Sequence, residues 1–350
     1  DRVSVELTSS STLNEDQLLP VPLAGFYGYS SQWQNAGTLE AEALELSVNG
    51  YVLNTRDMSL SLGFNYDTYD QKLTEFNMPA YLTSSGSGQT VFYMKNNTQY
   101  ASFWGTKWAT GAAHLPEADR ASISQFATNS DGYLVWVGDG NKVTEGISKT
   151  LWGRTSTGLS QTYNWGRPIQ FVDSDGNSLH QIGTSVPDFG YSFNANFRFQ
   201  GLSVYAMFDG QSGGNIYNHT RQWGAREAAT GDVDQYGKSE AEMKPTIYYR
   251  DLYHVNAAND YYVEDASYMK LRELSVKYNV SSLVDLRSVG INGLQVGIVG
   301  RNLITWTDYQ GYDPEVGYGG GTLGSAVNAR VDSYGYPNYR TFSFTLDVDF

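Results

Sequence analysis

The last residues of the chain, "RTFSFTLDVDF" (340–350), alternate strictly between apolar and polar side chains. Serine, threonine and aspartate stand between the apolar positions, which are Phe342, Phe344, Leu346, Val348 and Phe350. Successive side chains of a strand point to opposite faces, so this pattern predicts a strand with one apolar and one polar face.

The same period of two recurs along the chain and predicts an all-β fold. It is clear at 58–67, 190–199, 202–210, 273–280 and 294–306, and weaker at 3–7 and 44–48. Between Met269 and Leu274 the apolar positions change from odd to even numbers, which predicts a bulge or a bend. Only residues 115–127 favour a helix, with Pro116 near its start.

Short and long connections alternate between these strands. The short joins are 54–57 and 200–201, a moderate one is 281–293, and the long ones are 10–37, 71–189, 209–260 and 309–338. If the strands run up and down across one layer, every short join falls on one side and every long join on the other.

Three architectures could use such strands. A propeller or solenoid requires a fixed repeat period, which the sequence lacks. A soluble β-sandwich has alternating strands but no reason for one-sided loops. An antiparallel transmembrane β-barrel predicts apolar-out strands of about ten residues, with short turns at one end and long loops at the other. The barrel is favoured, and the soluble sandwich stays the alternative.

Aromatic residues near the strand ends support the barrel, because such barrels carry aromatic girdles at both membrane interfaces. The predicted girdle on the long-loop side is Tyr66, Tyr69, Tyr261, Tyr262, Trp306 and Tyr309. The predicted girdle on the short-turn side is Tyr51, Phe199, Tyr278 and Phe350.

Composition narrows the function. The formal net charge of -14 argues against a nucleic-acid partner and against a polybasic membrane anchor. There is no cysteine, so disulfide and thiolate chemistry are excluded. The sequence has no run of about 18 apolar residues, so it predicts no transmembrane helix. The first residues do not form a signal peptide, so an export signal would lie upstream.

No catalytic or metal-binding motif stands out. The four histidines, His114, His180, His219 and His254, lack the spacing of metal ligands. The acidic segments 129–133 and 173–177 resemble calcium loops but lack the later glutamate, so they are predicted to be turns. We therefore expect no enzyme activity, no cofactor and no metal.

Two regions hold candidate ligand-binding residues. Trp104, Trp108 and Trp136 lie in the longest loop region, and indole faces stack on sugar rings or fill peptide pockets. Packing inside a folded loop is the alternative. The glycine-rich segment 311–321 contributes Asp313, Glu315 and Tyr318, which could fold onto a substrate or a partner. The alternative there is a mobile surface loop.

Several segments resemble SusC/RagA-like TonB-linked outer-membrane transporters. The most specific are "VEDASYMKLRELSVKYNV" (263–280) and "GRNLITWTDYQGYDPEV" (300–316). "FQGLSVYAMFDGQSGGNIYN" (199–218), "NAGTLEAEALELSV" (35–48) and the terminal strand also resemble the family, although Leu44 stands where the family usually has glycine.

The resemblance implies a barrel of about 22 strands around an N-terminal plug, located in the bacterial outer membrane. It further implies import of nutrients such as glycans or peptides, energy from TonB, and a SusD-like lipoprotein as a lid. The resemblance also relates the terminal Phe350 to the residue by which outer-membrane barrels are recognised for assembly.

This chain departs from the family pattern because it supplies about eight strands and neither plug nor TonB box. Residues 1–350 are therefore expected to be the C-terminal barrel portion, with a large extracellular loop region at about 71–189. The segments 3–7 and 342–350 are expected to pair with strands outside the chain, since an open sheet edge is not tolerated in lipid. The alternatives are a structural envelope component without transport and a soluble, aromatic-rich glycan-binding β-protein.

Overall fold

The computed structural model describes residues 2–84, 90–140, 153–239, 242–253, 258–284, 286–315 and 330–350. The first strands are β1 (Val3–Pro22), β2 (Ser31–Asn54), β3 (Met58–Phe76), β4 (Tyr81–Ser84), β5 (Thr90–Met94), β6 (Thr98–Gln99), β7 (Ser102–Gly105), β8 (Phe126–Thr128) and β9 (Leu134–Trp136). The later elements are β10 (His180–Thr184), β11 (Phe189–Phe199), β12 (Leu202–Ser212), β13 (Asn215–Asn218), α1 (His219–Arg226), α2 (Thr246–Leu252), β14 (Val263–Asp265), β15 (Tyr268–Asn279), β16 (Gly293–Thr307), β17 (Val331–Asp332) and β18 (Thr341–Asp349).

The largest sheet is an antiparallel wall. Its strand order is β1-β2-β3-β11-β12-β15-β16-β18, and β6 pairs with β3 off this path. Strands that follow one another within the path are antiparallel. The predicted all-β fold and the eight-stranded count are confirmed. Within the part of the chain that the structure describes, the outer edges of β1 and β18 have no strand partner.

Strand register places the apolar side chains in continuous rows across one face of the wall. One row joins, from β1 to β16, Val5, Val48, Phe64, Phe193, Phe208, Leu271 and Ile304. A second row joins, from β3 to β18, Leu60, Phe197, Val204, Val276, Ile298 and Phe344. Every second side chain of a strand lies on the same face, so the paired strands align their apolar residues in rows when the register is in phase.

This face is exposed despite its composition. Phe344 is 83% exposed, and large exposed apolar side chains recur on every strand of the wall except β12, among them Val3, Leu7, Leu44, Phe64, Phe193, Leu274, Val296, Trp306, Phe342 and Leu346. The terminal positions Val348 and Phe350 are exposed as well. A contiguous apolar surface of this extent is rare on soluble monomers and marks contact with lipid or another chain.

The opposite face of the wall is polar. One row runs through Asn65, Ser192, Asp209, Lys270 and Thr305 in successive strands. Neighbours on this face bond across strands, as when the Asn65 amide donates to the Ser192 hydroxyl over 2.9 Å. The wall is therefore two-faced, with one side that water can solvate and one that it cannot.

Two sequence-based expectations about regular structure were wrong. Residues 10–37 were expected to form a long loop, but β1 and β2 continue through them and leave only 23–30 outside strands. The extension is mostly polar, and a few of its apolar residues, Leu19 and Val21 in β1 and Ala36 in β2, are buried in a third cluster with Leu73 of β3. No sustained alternation marks these segments, and backbone pairing holds them as a ladder. The helix expected at 115–127 is a 3₁₀ helix, Glu117–Gln125, followed directly by β8.

The predicted phase change in β15 is confirmed as a bulge. Leu271 pairs with Phe208 and Glu273 with Met207, so Arg272 is the extra residue opposite β12. The register against β16 shifts at the same place. Arg272 lies on the polar face with Lys270 and contacts Asp209 there. The bulge puts the next residue, Glu273, on the same face and returns Leu274 to the apolar face.

The compact core lies in the long connections on one side of the wall. Its largest cluster, here called the loop core, contains Phe92, Phe103, Trp108, Tyr133, Tyr217, Tyr248, Leu252 and Tyr262. A second cluster contains Leu115, Phe126, Leu134, Trp136, Tyr163 and Trp165. No helix among the described residues is long and apolar enough to cross a membrane.

The girdle prediction is wrong for Tyr262 and Tyr309, and Tyr261 is also partly buried against the loop core. Tyr262 lies inside the loop core and Tyr309 in a separate buried cluster. They lie beyond the ends of the wall strands, where the chain turns into the packed connections, so their rings bury against other loop residues. Trp306, Tyr69 and Tyr51 do remain exposed near strand ends.

Candidate functional site

A buried ionic cluster joins the polar face of the wall to the connections above it. Lys270 of β15 is 1% exposed. Its Nζ lies 2.6 Å from Asp313 Oδ1 and 2.6 Å from Glu315 Oε2. A fully desolvated ammonium is tolerated only when it is paired and hydrogen-bonded, and these two carboxylates supply that pairing.

Arg272, the bulge residue, completes the cluster. Its Nε and Nη2 donate to the two oxygens of Asp209 over 2.6 Å each. Nη2 also donates to Glu315 Oε1 over 2.7 Å. The planar guanidinium allows this forked pairing, which a lysine ammonium does not. Two cations thus face three carboxylates, and Glu315 bridges both cations.

The cluster holds two separate stretches of chain against β15. The Asn338 backbone N–H donates to Asp313 Oδ2 over 3.1 Å, and its side-chain amide donates to Glu315 Oε2 over 2.8 Å. Burial raises the pKa of Glu315, but hydrogen bonds from Arg272 and Lys270 outweigh burial and lower it to about 2. Glu315 is therefore ionised throughout the physiological range.

Ion pairs thus fix Asp313 and Glu315 in place. The alternative prediction, that their glycine-rich segment is a mobile surface loop, is wrong for these two residues. Tyr318 lies outside the described residues, and its ligand role stays a prediction. Sequence reasoning missed Lys270, Arg272 and Asp209. One signal was available, since Lys270 and Arg272 flank the phase change in β15.

The three candidate tryptophans lie in different environments. The Trp108 and Trp136 rings are buried, one in the loop core and the other in the second cluster. Trp104 is half-buried, and its ring centroid lies 5.2 Å from that of Tyr93. Each indole N–H has an acceptor: Trp104 donates to Ser102, Trp108 to Asn259 and Trp136 to Gln125. Packing is what the structure shows for Trp108 and Trp136, and a role in ligand binding stays a prediction.

One edge of Trp108 reaches a surface cleft of about 640 Å³, which also has His114, Arg167, Arg250 and Asp251 in its lining. Arg167 and Asp251 form a two-pronged ion pair in which Nη2 lies 2.6 Å from Oδ1. The lining combines charged side chains with apolar ones such as Ile169 and Val172, so the cleft suits an amphipathic ligand.

Asp260 holds the backbone of Trp108 by a hydrogen bond. Its carboxylate accepts hydrogen bonds from the Trp108 backbone N–H over 3.2 Å and from the Tyr133 hydroxyl over 3.3 Å. Burial raises the pKa of Asp260 to about 6, although these hydrogen bonds oppose the shift. The loop core therefore contains a carboxyl group that titrates close to neutral pH.

The segments that resemble calcium loops are turns, as predicted. Asp173 accepts the backbone N–H groups of Asp175 and Asn177, and Asn129 accepts those of Asp131 and Tyr133. Three histidines belong to ordinary packing: His114 and His180 contact the Phe171 ring, and His219 contacts Trp223. The fourth, His254, lies outside the described residues.

Comparison with known proteins places the whole chain beside TonB-dependent receptors. It is 28% identical over 359 aligned residues to TonB-dependent receptor P3 of Formosa agariphila, which covers 100% of this chain and 32% of the relative. Receptors P39 and P26 of the same organism are each 22% identical, again over 100% of this chain. The chain spans about a third of the length of these relatives. No family model matches it.

Solved structures agree on the fold. The RagAB peptide transporter aligns with a TM-score of 0.62 at 18% identity, over 99% of this chain and 33% of that one. RagAB in its "open-open" state gives a TM-score of 0.61 at 19% identity, over 100% of this chain and 33% of that one. The resemblance predicted from the sequence motifs is confirmed: the chain is similar over its whole length to TonB-dependent receptors, and its fold is that of a barrel segment.

Proposed function

We propose that this chain forms part of the wall and extracellular loops of a SusC-like, TonB-dependent nutrient importer in the bacterial outer membrane. The observation that carries this proposal is the two-faced wall, in which apolar rows cross the strands and large apolar side chains are exposed on every strand except β12. Full burial of a large apolar side chain is worth about 1.5–3 kcal/mol. A surface with so many exposed apolar side chains favours a non-aqueous neighbour, and a band that runs along two-faced strands fits lipid.

The polar face then lines the lumen. In a membrane every backbone hydrogen-bonding group needs a partner, so a spanning sheet must close into a barrel. The outer edges of β1 and β18 would accordingly pair with the remainder of the same barrel. Phe350 would lie at the short-turn rim, where an aromatic girdle belongs and where assembly factors recognise the last strand.

The further partners follow from the family resemblance. They are a plug inside the lumen, TonB acting through a region N-terminal to the segment described, a SusD-like lipoprotein lid and outer-membrane lipid. The imported nutrient would be a glycan or a peptide. Trp104, Trp108, Trp136, Asp313, Glu315 and Tyr318 are the candidates for contact with it.

Two alternatives are less well supported. A soluble glycan-binding protein would place its apolar rows inside a core, whereas here they are exposed. A structural envelope component would share the wall, but the relatives that match along the whole chain are named as receptors. A structural component remains the second candidate, and measured uptake distinguishes it from an importer.

Site-directed spin labelling of the full-length protein tests the proposal. These 350 residues contain no cysteine, so within them Phe344→Cys and Ser343→Cys each create one labelling site, on adjacent residues of opposite faces; any cysteine elsewhere in the full-length protein is replaced by serine first. In reconstituted bilayers, the nitroxide at 344 should be relaxed by oxygen, which concentrates in lipid. The nitroxide at 343 should respond more to a water-soluble nickel chelate. Equal, water-like accessibility at both positions contradicts a lipid-facing wall.

A further inference from the structure

A second cleft is lined by none of the candidate ligand residues named from the sequence, although its Tyr312 is the neighbour of Asp313 in the chain. Its volume is about 530 Å³, and its lining includes Asn218, Arg221, Asp232, Tyr312 and Tyr334. The lining comes from α1, from the chain that follows it, and from the connection between β16 and β18. This cleft is here called the tyrosine cleft.

Two exposed aromatic rings flank the tyrosine cleft. Tyr312 is 76% exposed and Tyr334 is 60% exposed. Among the described residues, neither ring stacks on another ring. A ligand that stacked on both rings would remove their faces from water, which is favourable.

The backbone beneath these rings is rigid. Tyr334 has φ 58, a left-handed conformation that is rare for a bulky residue and that concentrates at ligand-binding sites. Its backbone N–H donates to Thr220 Oγ1 over 2.7 Å, and that hydroxyl donates to buried Asp332 over 2.8 Å. Asp332 also accepts the Tyr309 hydroxyl over 2.5 Å.

The same frame holds Tyr312. A Cβ at Gly311 would lie 2.3 Å from the Tyr309 ring, so only glycine lets the chain pass this closely before Tyr312. Tyr309 and Asp332 therefore support both exposed tyrosines through one set of contacts. Such preorganisation lowers the entropic cost of binding.

The floor of the cleft presents polar groups that are held in place by hydrogen bonds, and the one cation in its described lining, Arg221, is balanced by carboxylates. Arg221 is paired with Asp232 over 2.7 and 2.8 Å and with Glu264 over 3.1 Å. The Thr230 hydroxyl, which also lines the cleft, is buried and has no hydrogen-bond partner among the described residues. An anionic ligand would meet two carboxylates for one guanidinium, so a neutral ligand is favoured.

From these features we infer that the tyrosine cleft binds a neutral oligosaccharide. Sugar rings offer apolar faces that stack on Tyr312 and Tyr334, and hydroxyl edges that bond to the amide and carboxylate groups of the floor. A peptide that binds by strand addition would need a free strand edge, and the described lining of the cleft provides none. The inference rests on the proposed import function, for which it names the substrate class.

Calorimetric titration of the purified full-length receptor in detergent tests this inference. The probes are maltohexaose, cellohexaose, xylohexaose and mannohexaose. At least one should bind, and Tyr312→Ala should weaken its binding about tenfold through loss of ring stacking. Tyr334→Asn should act similarly, because asparagine tolerates the left-handed backbone. Tyr312→Phe keeps the ring and should bind within about twofold of the unmodified protein.

Tyr236→Ala is the matched control, because this tyrosine is 94% exposed and does not line the cleft. It should leave binding unchanged, and unaltered melting temperatures would show that all variants fold. Binding of none of the four hexaoses overturns the inference, and so does equal binding by the Tyr312→Ala and Tyr334→Asn variants. The nitroxide experiment on the wall does not involve this cleft, so failure here leaves the barrel proposal standing.

Discussion

Replacement of Lys270 by methionine isolates the contribution of the buried ionic cluster. The substitution keeps the length of the side chain and removes its charge, which leaves Asp313 and Glu315 facing each other. Arg272 still pairs with Glu315, whereas Asp313 loses its only cation within the described residues. Breaking a buried ion pair on one side typically costs about 3–5 kcal/mol.

The cost should fall on the segments that the cluster holds, because the wall ladder itself remains intact. A loss of about 3 kcal/mol in local opening free energy corresponds to roughly hundredfold faster amide exchange. Hydrogen exchange with mass spectrometry should therefore show faster exchange around Asp313 and Asn338, while peptides from β11 and β12 stay unchanged.

Two controls separate charge from contact. Lys277→Met removes a lysine from the same strand that forms no ion pair within the described residues, so exchange should stay at the unmodified level. Lys270→Met combined with Asp313→Asn removes the unpaired carboxylate and should recover part of the loss. If Lys270→Met leaves exchange around Asp313 unchanged, the cluster does not hold these segments, and the reasoning is refuted.

Three further outcomes are expected. Arg272→Lys, which loses the forked pairing, should raise exchange in the same segments about tenfold, with no change in the wall. The pKa of Asp260 is raised from 3.8 to about 6 in the folded protein, so its contribution to stability is full below pH 3.8 and is lost as pH rises through 6. In urea titrations followed by tryptophan fluorescence, lowering the pH from 7.5 to 5 should therefore stabilise the unmodified protein relative to Asp260→Asn. A stability difference that stays constant over this pH range argues against the shift. Gly105→Ala would place a Cβ 2.3 Å from the Ala258 carbonyl oxygen, whereas a Cβ at Gly111 meets nothing within 4 Å. Thermal melts should show that Gly105→Ala lowers the free energy of unfolding by about 1–3 kcal/mol and that Gly111→Ala leaves it almost unchanged. Equal melting temperatures for the two variants would contradict the packing described.

The wall illustrates how far a local pattern reaches. Alternation in "RTFSFTLDVDF" was sufficient to predict which side chains of β18 face outward, and register with β16 then aligned Phe344 with Ile298. The bulge at Arg272 was also predictable, because a bulge leaves a phase change in the sequence. Each of these features depends on the side-chain period of a single strand.

The loops were less predictable because their packing depends on residues far apart in the chain. The indoles of Trp108 and Trp136 look the same in the sequence as an exposed indole, and only tertiary contacts bury them. The extension of β1 and β2 has only short apolar stretches such as Leu19 and Val21 among many polar residues, so no sustained alternation distinguishes a ladder from a loop.

The sequence by itself determined the two-faced strands, their up-and-down order and the resemblance to TonB-linked transporters, because strand periodicity and motif spacing are local properties. Only the tertiary structure decided the sites. Arg272 meets Asp209 across 63 residues, and Tyr309 meets Asp332 across 23. Such contacts form when long connections fold against one another, and their energies depend on burial and geometry that no single segment specifies.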